Sequence, residues 1–287
     1  MDFIQKIDSE GGSVYLVGGT VRDRFYNRFF STEIVSKDFD LLCCNIKTHH
    51  LEDILKEYGH IKEVGKAFGI VTFKPKGKLS KYEFDIALPR KEKSTGPGYR
   101  DFEIVCDESI PIEEDLSRRD TTANAIAYRL RSEEDLLSNT LNDDQVVDVF
   151  NGAQDIQNKL LRAVGDAYKR LLEDPNRILR ALRQSAQFHM TFDKDLEDAI
   201  IHHTDLLDTI VKSSPVRLTE EIVRLLKTDG CYKTMEYMLK RTNIAEHLDI
   251  TVTPEEVDGF CNSLKYCVDN GIPVSYTHLT LPTILRV

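Results

Sequence analysis

Residues 14–30 read VYLVGGTVRDRFYNRFF, and this stretch decides the fold. Val14 to Val17 is a short, β-leaning apolar run that ends at Gly18-Gly19, and Thr20 to Phe30 then reads as a helix. Two glycines at such a corner let a ligand approach the backbone closely. Free N–H groups at a helix N-terminus favour phosphate, and Arg22 adds a charge-assisted donor. The same glycines also suit a plain tight turn that needs them only for their dihedrals. The stretch is not a Walker motif. The nearest candidate, Gly59 to Ala67 (GHIKEVGKA), has five residues between its glycines and Ala where Ser or Thr is required, which argues against a P-loop kinase or GTPase.

Working outward, Phe39 to Cys44 is a second strand candidate, and Lys47 to Tyr58 has helical spacing through Leu51, Ile54, Leu55 and Tyr58. His60 to Val64, Gly69 to Phe73 and Tyr82 to Leu88 are further strands, the last two joined by the polar turn KPKGKLSK. Pro89 to Tyr99 (PRKEKSTGPGY) reads as a flexible basic loop. From Asp155 onward helical periodicity dominates. Asp174 to Met190, Leu196 to Val211 and Pro215 to Thr228 read as helices, the last with Pro at its start. Strands first and helices later predict an α+β domain over residues 1–165 and an all-α region over 166–273.

Acids number 48 and bases 38, so the formal net charge is −10, which excludes a strongly basic nucleic-acid binder as a whole-chain description. Charge is nonetheless segregated. Lys159 to Phe188 carries seven bases and three acids, and Asp101 to Asp120 carries eight acids and two bases. The six cysteines form no CxxC, so neither a disulfide framework nor a zinc ribbon is expected. No apolar run is long enough to span a bilayer and no signal peptide is visible, so the expected location is the cytoplasm, with no membrane partner.

Four further constellations could carry chemistry. Asp38 and Asp40, in Lys37-Asp38-Phe39-Asp40, share one face of a strand; they are either a hard-cation site or a strand edge with two solvated acids. Asp85 alternates against Phe84 and Ile86. It could supply a third carboxylate to a two-metal site, or be an exposed acid on an amphipathic strand. Arg118-Arg119-Asp120, leading into Thr121-Thr122-Ala123-Asn124-Ala125, could read a triphosphate or a ribose, or be a helix start with flanking charges. Asp174 before Pro175 fits a helix N-cap, and Arg177, Arg180 and Arg183 follow at intervals of three. Asp174 and Arg177 could present an acceptor and a donor fork to a base edge, or the set could be a solvated face.

Taken in order, GGTVRD, DFD, FDIALPRKEK, RRDTTANAIAY and GDAYKRLLEDPNRILRALR resemble the class II CCA-adding tRNA nucleotidyltransferase and bacterial poly(A) polymerase family, over Val14 to Phe188, about 60% of the chain. The resemblance implies a DNA polymerase β-type nucleotidyltransferase head with a mixed sheet, followed by an all-α neck and partial body. It implies template-free addition of CCA to tRNA 3′ ends from CTP and ATP with Mg²⁺; poly(A) addition and CC-only or A-only addition remain alternatives. Asp38, Asp40 and Asp85 match the catalytic carboxylates, with Asp38 and Asp40 the Mg²⁺ ligands. Gly18, Gly19 and Arg22 match the triphosphate turn, and Arg119 and Asp120 the contacts to ribose and phosphates. Asp174 and Arg177 match the pair that reads CTP or ATP, and Arg180 and Arg183 match further nucleotide contacts. Pro89 to Tyr99 matches the loop that moves as selectivity switches from C to A. Thr121 stands where the family motif usually has an aromatic, and Ala123 where it has a larger apolar residue. Ser275 to Val287 (SYTHLTLPTILRV) resembles a translated sequencing-adapter tail, so residues 274–287 are expected to be non-native, with the natural chain continuing past about residue 273. The oligomeric state stays open.

Overall fold

The structure, a computed structural model, describes residues 1–36, 39–63, 70–94, 102–248 and 251–274. The chain divides into two compact units, residues 1–158 and residues 159 onward. The division falls before the expected boundary at 165. The reason is a short parallel pairing of Leu160–Leu161 with Thr191–Phe192, which ties residues 160–161 to the helices that follow.

The first unit is built on strands β1 (Ser13–Val17), β2 (Asp40–Cys44), β3 (Gly59–Glu63), β4 (Ile70–Pro75), β5 (Phe84–Ala87), β6 (Arg90–Ser94), β7 (Phe102–Cys106), β8 (Ala127–Leu130) and β9 (Val146–Val147). Its helices are α1 (Phe3–Ser9), α2 (Gly19–Phe30), α3 (Thr48–Tyr58), α4 (Ile112–Ser117), α5 (Glu133–Leu137) and α6 (Gly152–Gln157). Seven strands form one mixed sheet in the order β3-β4-β5-β2-β1-β8-β9, with β2 and β5 parallel and the other pairs antiparallel.

One rung crosses all seven strands: Lys62, Thr72, Asp85, Asp40, Val17, Ala127 and Val147 are successive register partners. Register partners project to the same face, so this rung lines up the site. The residues to either side of it face the other way, into the core. Phe84 and Ile86 are buried where Asp85 is exposed. Phe3 of α1 meets Phe73 edge to face at 5.2 Å and Phe84 at 6.4 Å, and all three are buried. Burying each such ring contributes about 1.5–3 kcal/mol. Leu51, Ile54 and Leu55 of α3 are also buried, and α3 packs on β3 and β4.

Two expectations for this unit need correction. Arg90 to Ser94, expected within a flexible loop, is strand β6, paired antiparallel with β7 from Arg90↔Cys106 to Ser94↔Phe102 in a separate two-stranded sheet. A polar, basic strand has no alternating apolar signal, and its pairing with β7 is what makes it extended. The rest of that loop, residues 95–99, lies outside the described residues. The α-helix beside Arg118-Arg119-Asp120 precedes them: α4 ends at Ser117, with Arg118 as its C-cap, where cations complement the helix dipole, and only a 3₁₀ turn, Thr122–Asn124, starts after them.

The second unit is helical: α7 (Ala167–Glu173), α8 (Asn176–Phe188), α9 (Lys194–His202), α10 (Leu207–Ser213), α11 (Pro215–Leu226), α12 (Cys231–Arg241), α13 (Ile244–His247) and α14 (Pro254–Asp269). The single helix expected over Leu196 to Val211 is two, α9 and α10, separated by a 3₁₀ turn over Thr204–Leu206. Leu196, Ile200, Leu207 and Ile210 are all buried, so apolar spacing persists across the break, which falls at His203 (φ −131°, ψ 34°). Helix α8 starts one residue later than the expected cap predicts. Pro175 already has helical dihedrals (φ −57°, ψ −20°), and the Asp174 side chain accepts from the Asn176 N–H at 3.1 Å, so Asp174 still caps. Of the expected non-native tail, residues 274–287, all but Val274 lie outside the described residues. Among the described residues no helix is long and apolar enough to cross a membrane.

Candidate active site

The corner between β1 and α2 is set by Gly18, at φ 72° and ψ −136°, a conformation that side chains rarely adopt. The space beside it is also taken. A Cβ at Gly18 would stand 3.1 Å from Arg119 Nη1 and 3.7 Å from Asp40 Oδ2. One close approach of backbone therefore joins three predicted residues. Gly19 opens α2, and the Arg22 guanidinium folds back over it.

Arg22 is buried. Its Nε and Nη2 donate to Asp23 Oδ1 at 3.0 and 2.7 Å, and Nη1 donates to Asn124 Oδ1 at 2.8 Å. Asn124 in turn donates through Nδ2 to Asp120 Oδ1 at 2.9 Å, which also accepts the Thr121 N–H. A polar chain thus runs from the glycine turn through Arg22 and Asn124 to Asp120. Thr121 and Ala123, the two departures from the family motif, are both buried, and their small side chains fit.

Asp40 and Asp85 are in register on adjacent parallel strands, and both are solvent-exposed. Neighbouring strands lie about 4.8 Å apart, so two carboxylates stand side by side on one face. Asp85 Oδ1 accepts from Thr72 Oγ1 at 2.8 Å, which fixes its rotamer. Oxygen-only donors, adjacent and hydrated, suit a hard divalent cation. Asp38 lies outside the described residues, and among the described residues no group of three or more His, Cys, Asp or Glu is placed to hold a metal.

Sequence reasoning missed the anchor of the arginines. Asp115 is fully buried on α4; its Oδ1 accepts from Arg118 Nη2 at 2.6 Å and its Oδ2 from Arg119 Nη2 at 3.3 Å. Its Oδ1 also accepts the Arg90 N–H at 3.2 Å. The signal was present as i, i+3 and i+4 spacing between an acid and two bases. Arg119 Nε is buried and finds no acceptor among the described residues. Burial, with Asp115 and Glu113 nearby, pushes the Cys44 thiol up to about 12.

In the second unit the arginines of α8 turn to different partners. Arg177 turns back to α7, donating through Nη1 to Glu173 Oε2 at 2.7 Å and to the Arg170 carbonyl at 2.9 Å. Arg183 turns to α11 and donates through Nε to the buried Glu221 at 2.6 Å, while Arg180 lies 4.0 Å from the same carboxylate. Glu221 was not singled out in the sequence, because its partner Arg183 lies 38 positions away on another helix.

Residues 14–162 match the family described as the poly(A) polymerase head domain, more than half of the chain. The chain belongs to that family. Its relatives include a CCA-adding enzyme of Lactobacillus helveticus, 30% identical over 227 residues, covering 78% of this chain and 49% of that protein. A multifunctional CCA protein of Aliivibrio salmonicida is 36% identical over 176 residues, covering 61% of this chain and 35% of that protein. Among solved structures, the Bacillus stearothermophilus CCA-adding enzyme in complex with CTP superposes with a TM-score of 0.65 at 25% identity, over 93% of this chain and 55% of that one. A Thermotoga maritima CCA-adding enzyme complexed with tRNA, at 22% identity and a TM-score of 0.68 over 96% of this chain and 58% of that one, shares the fold. The nucleotidyltransferase head followed by helices is therefore the architecture of the class II CCA-adding and poly(A) polymerase family. The chain spans about half the length of the curated relatives it matches.

Proposed function

We propose that this chain is the catalytic part of a template-free tRNA nucleotidyltransferase that adds C and A from CTP and ATP to tRNA 3′ ends and releases pyrophosphate. The observation that carries the reading is the Asp40–Asp85 pair, in register beside the Gly18 turn and Arg119. Relatives named as CCA-adding enzymes, and one solved with CTP, support the substrates.

In this reading Asp38 and Asp40 would hold Mg²⁺, and Asp85 beside them would help deprotonate the RNA 3′-hydroxyl. Bound Mg²⁺ supplies charge neutralisation: it makes the hydroxyl more acidic and offsets negative charge on the leaving pyrophosphate. Gly18 and Gly19 leave backbone N–H groups open to the triphosphate. Arg22 and Asp120 hold the turn and the ribose contact through Asn124. Arg119, oriented by Asp115, brings positive charge beside Asp40, and its unsatisfied Nε is the kind of donor a bound anion completes. Asp174 and Arg177 select the base, an acceptor and a donor fork held by Asn176 and Glu173 respectively. Arg180 and Arg183 are assigned a supporting nucleotide role. Arg183 acts mainly through Glu221, which anchors helix α8. The free thiols fit a cytoplasmic working compartment.

The test is a tRNA transcript ending at the discriminator base, incubated with Mg²⁺ and CTP, ATP or both, and resolved at single nucleotides. Three additions with both nucleotides, then arrest, support CCA addition. Long A tails without use of CTP would replace it with poly(A) addition, and two additions or one with a stop would indicate CC-only or A-only transfer.

A further inference from the structure

The second unit holds a cavity of about 410 Å³ at the C-terminal end of α8. Helix α8 has 13 residues, so at about 1.5 Å per residue this end lies roughly 18 Å along the axis from Asn176. The cavity is thus separate from the Asp174 end of the helix. Phe192 and Tyr237 line it, with ring centroids 5.4 Å apart, beside His189 and Met190. Glu197 and Lys233 complete the lining. Among the described residues neither is in an ion pair; the Lys233 ammonium lies 5.8 Å from the Tyr232 ring. Tyr237 Oη is buried and faces the Glu197 carboxylate. Burial, with Glu197 nearby, pushes that phenol up to about 12, so it remains a donor at neutral pH.

This combination has a chemical reading. Aromatic walls accept a flat ring by stacking, whatever its sequence. An ionised carboxylate only accepts hydrogen bonds. Guanine places two adjacent donors, N1–H and the 2-amino group, on its Watson–Crick edge. Adenine and cytosine set a ring acceptor beside their amine, and uracil sets one N–H between two carbonyls. A single carboxylate therefore complements guanine best, and the Lys233 ammonium suits its O6. A second cavity, of about 560 Å³, is lined by Arg183, Arg224 and Lys227 and shares the α11–α12 connection with the first through Asp229 and Gly230. Arg224 and Lys227 are exposed, and exposed bases beside a stacking pocket provide for a phosphate backbone.

We propose that the Phe192–Tyr237–Glu197 cavity binds an unstacked guanine base of a single-stranded RNA, with the neighbouring phosphates near Arg224 and Lys227. The assignment does not depend on the transfer chemistry at Asp40 and Asp85. Free guanine nucleotides share the same chemistry, and the experiment separates the two sources.

The full chain, in EDTA, is titrated with GMP, IMP, AMP, CMP and UMP, and with a four-nucleotide RNA containing one G. The expected result is saturable GMP binding about tenfold tighter than AMP, CMP or UMP, with IMP weakened by loss of the 2-amino donor. Glu197→Gln should weaken GMP about tenfold, with the melting temperature and CTP incorporation unchanged. Asp174→Ala should leave GMP binding intact. The RNA should bind more tightly than GMP, and Lys227→Glu should remove that gain; equal binding of RNA and GMP would overturn the RNA source and leave a free nucleotide as the ligand. The proposal is overturned if no guanine compound saturates, if the four bases bind alike, if Glu197→Gln binds GMP as wild type does, or if Asp174→Ala abolishes binding.

Discussion

Replacing Gly18 by Ala separates two effects that the structure places at one atom. The first is conformational. Gly18 sits at φ 72° and ψ −136°, and holding Ala there costs about 1–3 kcal/mol. The second is steric. The new Cβ would stand 3.1 Å from Arg119 Nη1, so that guanidinium must give by a few tenths of an ångström. Gly77 supplies the control: its φ is 75°, but a Cβ there meets nothing within 4 Å. Gly77→Ala costs a similar ~1–2 kcal/mol of backbone strain without touching the site. At about 2–4 °C per kcal/mol for a unit of this size, each variant should lower Tm by roughly 2–10 °C. Primer extension should differ sharply: Gly77→Ala should retain the wild-type rate at 20 °C, and Gly18→Ala should lose about a hundredfold, the scale of displacing one charge-stabilising donor. Equal activity of the two variants would refute the claim that the Gly18 corner exists to admit Arg119 and the triphosphate.

Asp115→Ala removes a fully buried carboxylate that holds both Arg118 and Arg119; losing this acceptor between two part-buried cations should cost about 2–4 kcal/mol, read by urea unfolding. Glu221→Ala should destabilise the second unit by a similar ~3–5 kcal/mol, because Arg183 at 2.6 Å, Arg224 at 3.6 Å and Arg180 at 4.0 Å all lose their shared partner; a loss below 1 kcal/mol would mean that solvent screens the cluster. Burial raises the Cys43 thiol and takes Cys44 up to about 12, against about 8.5 in an unfolded chain. The fold then retains protons that the unfolded chain releases, so stability is fully present below pH ~8.5 and falls as pH rises toward 12. Unfolding free energies at pH 7.5 and 10 should show that decline, and Cys44→Ala should make it shallower.

Much of the head was legible because its signals are local. Val14 to Phe30 gives the strand, the glycine corner and the helix from adjacent residues. The alternation around Asp85 gives its exposed face directly. What was not legible depends on pairing between distant segments. Strand β6 is polar, and only its partner 102–106 makes it extended. Asp85 and Asp40 are 45 positions apart, and only the parallel register of β2 and β5 puts them side by side. Asp115 was readable in principle from its spacing to Arg118 and Arg119, but it was hidden in an acidic run. The break between α9 and α10 leaves apolar periodicity intact, so spacing alone cannot show the 3₁₀ turn between them. On α8 the interval of three between the arginines is read directly, but their tertiary partners on α7 and α11 are not.

The central claim is that the paired carboxylates of β2 and β5 carry nucleotidyl transfer. Single-turnover extension of a tRNA lacking its CCA, with Mg²⁺, CTP and ATP, tests it most directly when wild type is compared with Asp40→Asn and Asp85→Asn. Both side chains are exposed, so both variants should melt within a degree or two of wild type. Each should extend the primer slower by about a thousandfold while still binding tRNA. A folded Asp40→Asn or Asp85→Asn variant that adds C and A at the wild-type rate would contradict the account.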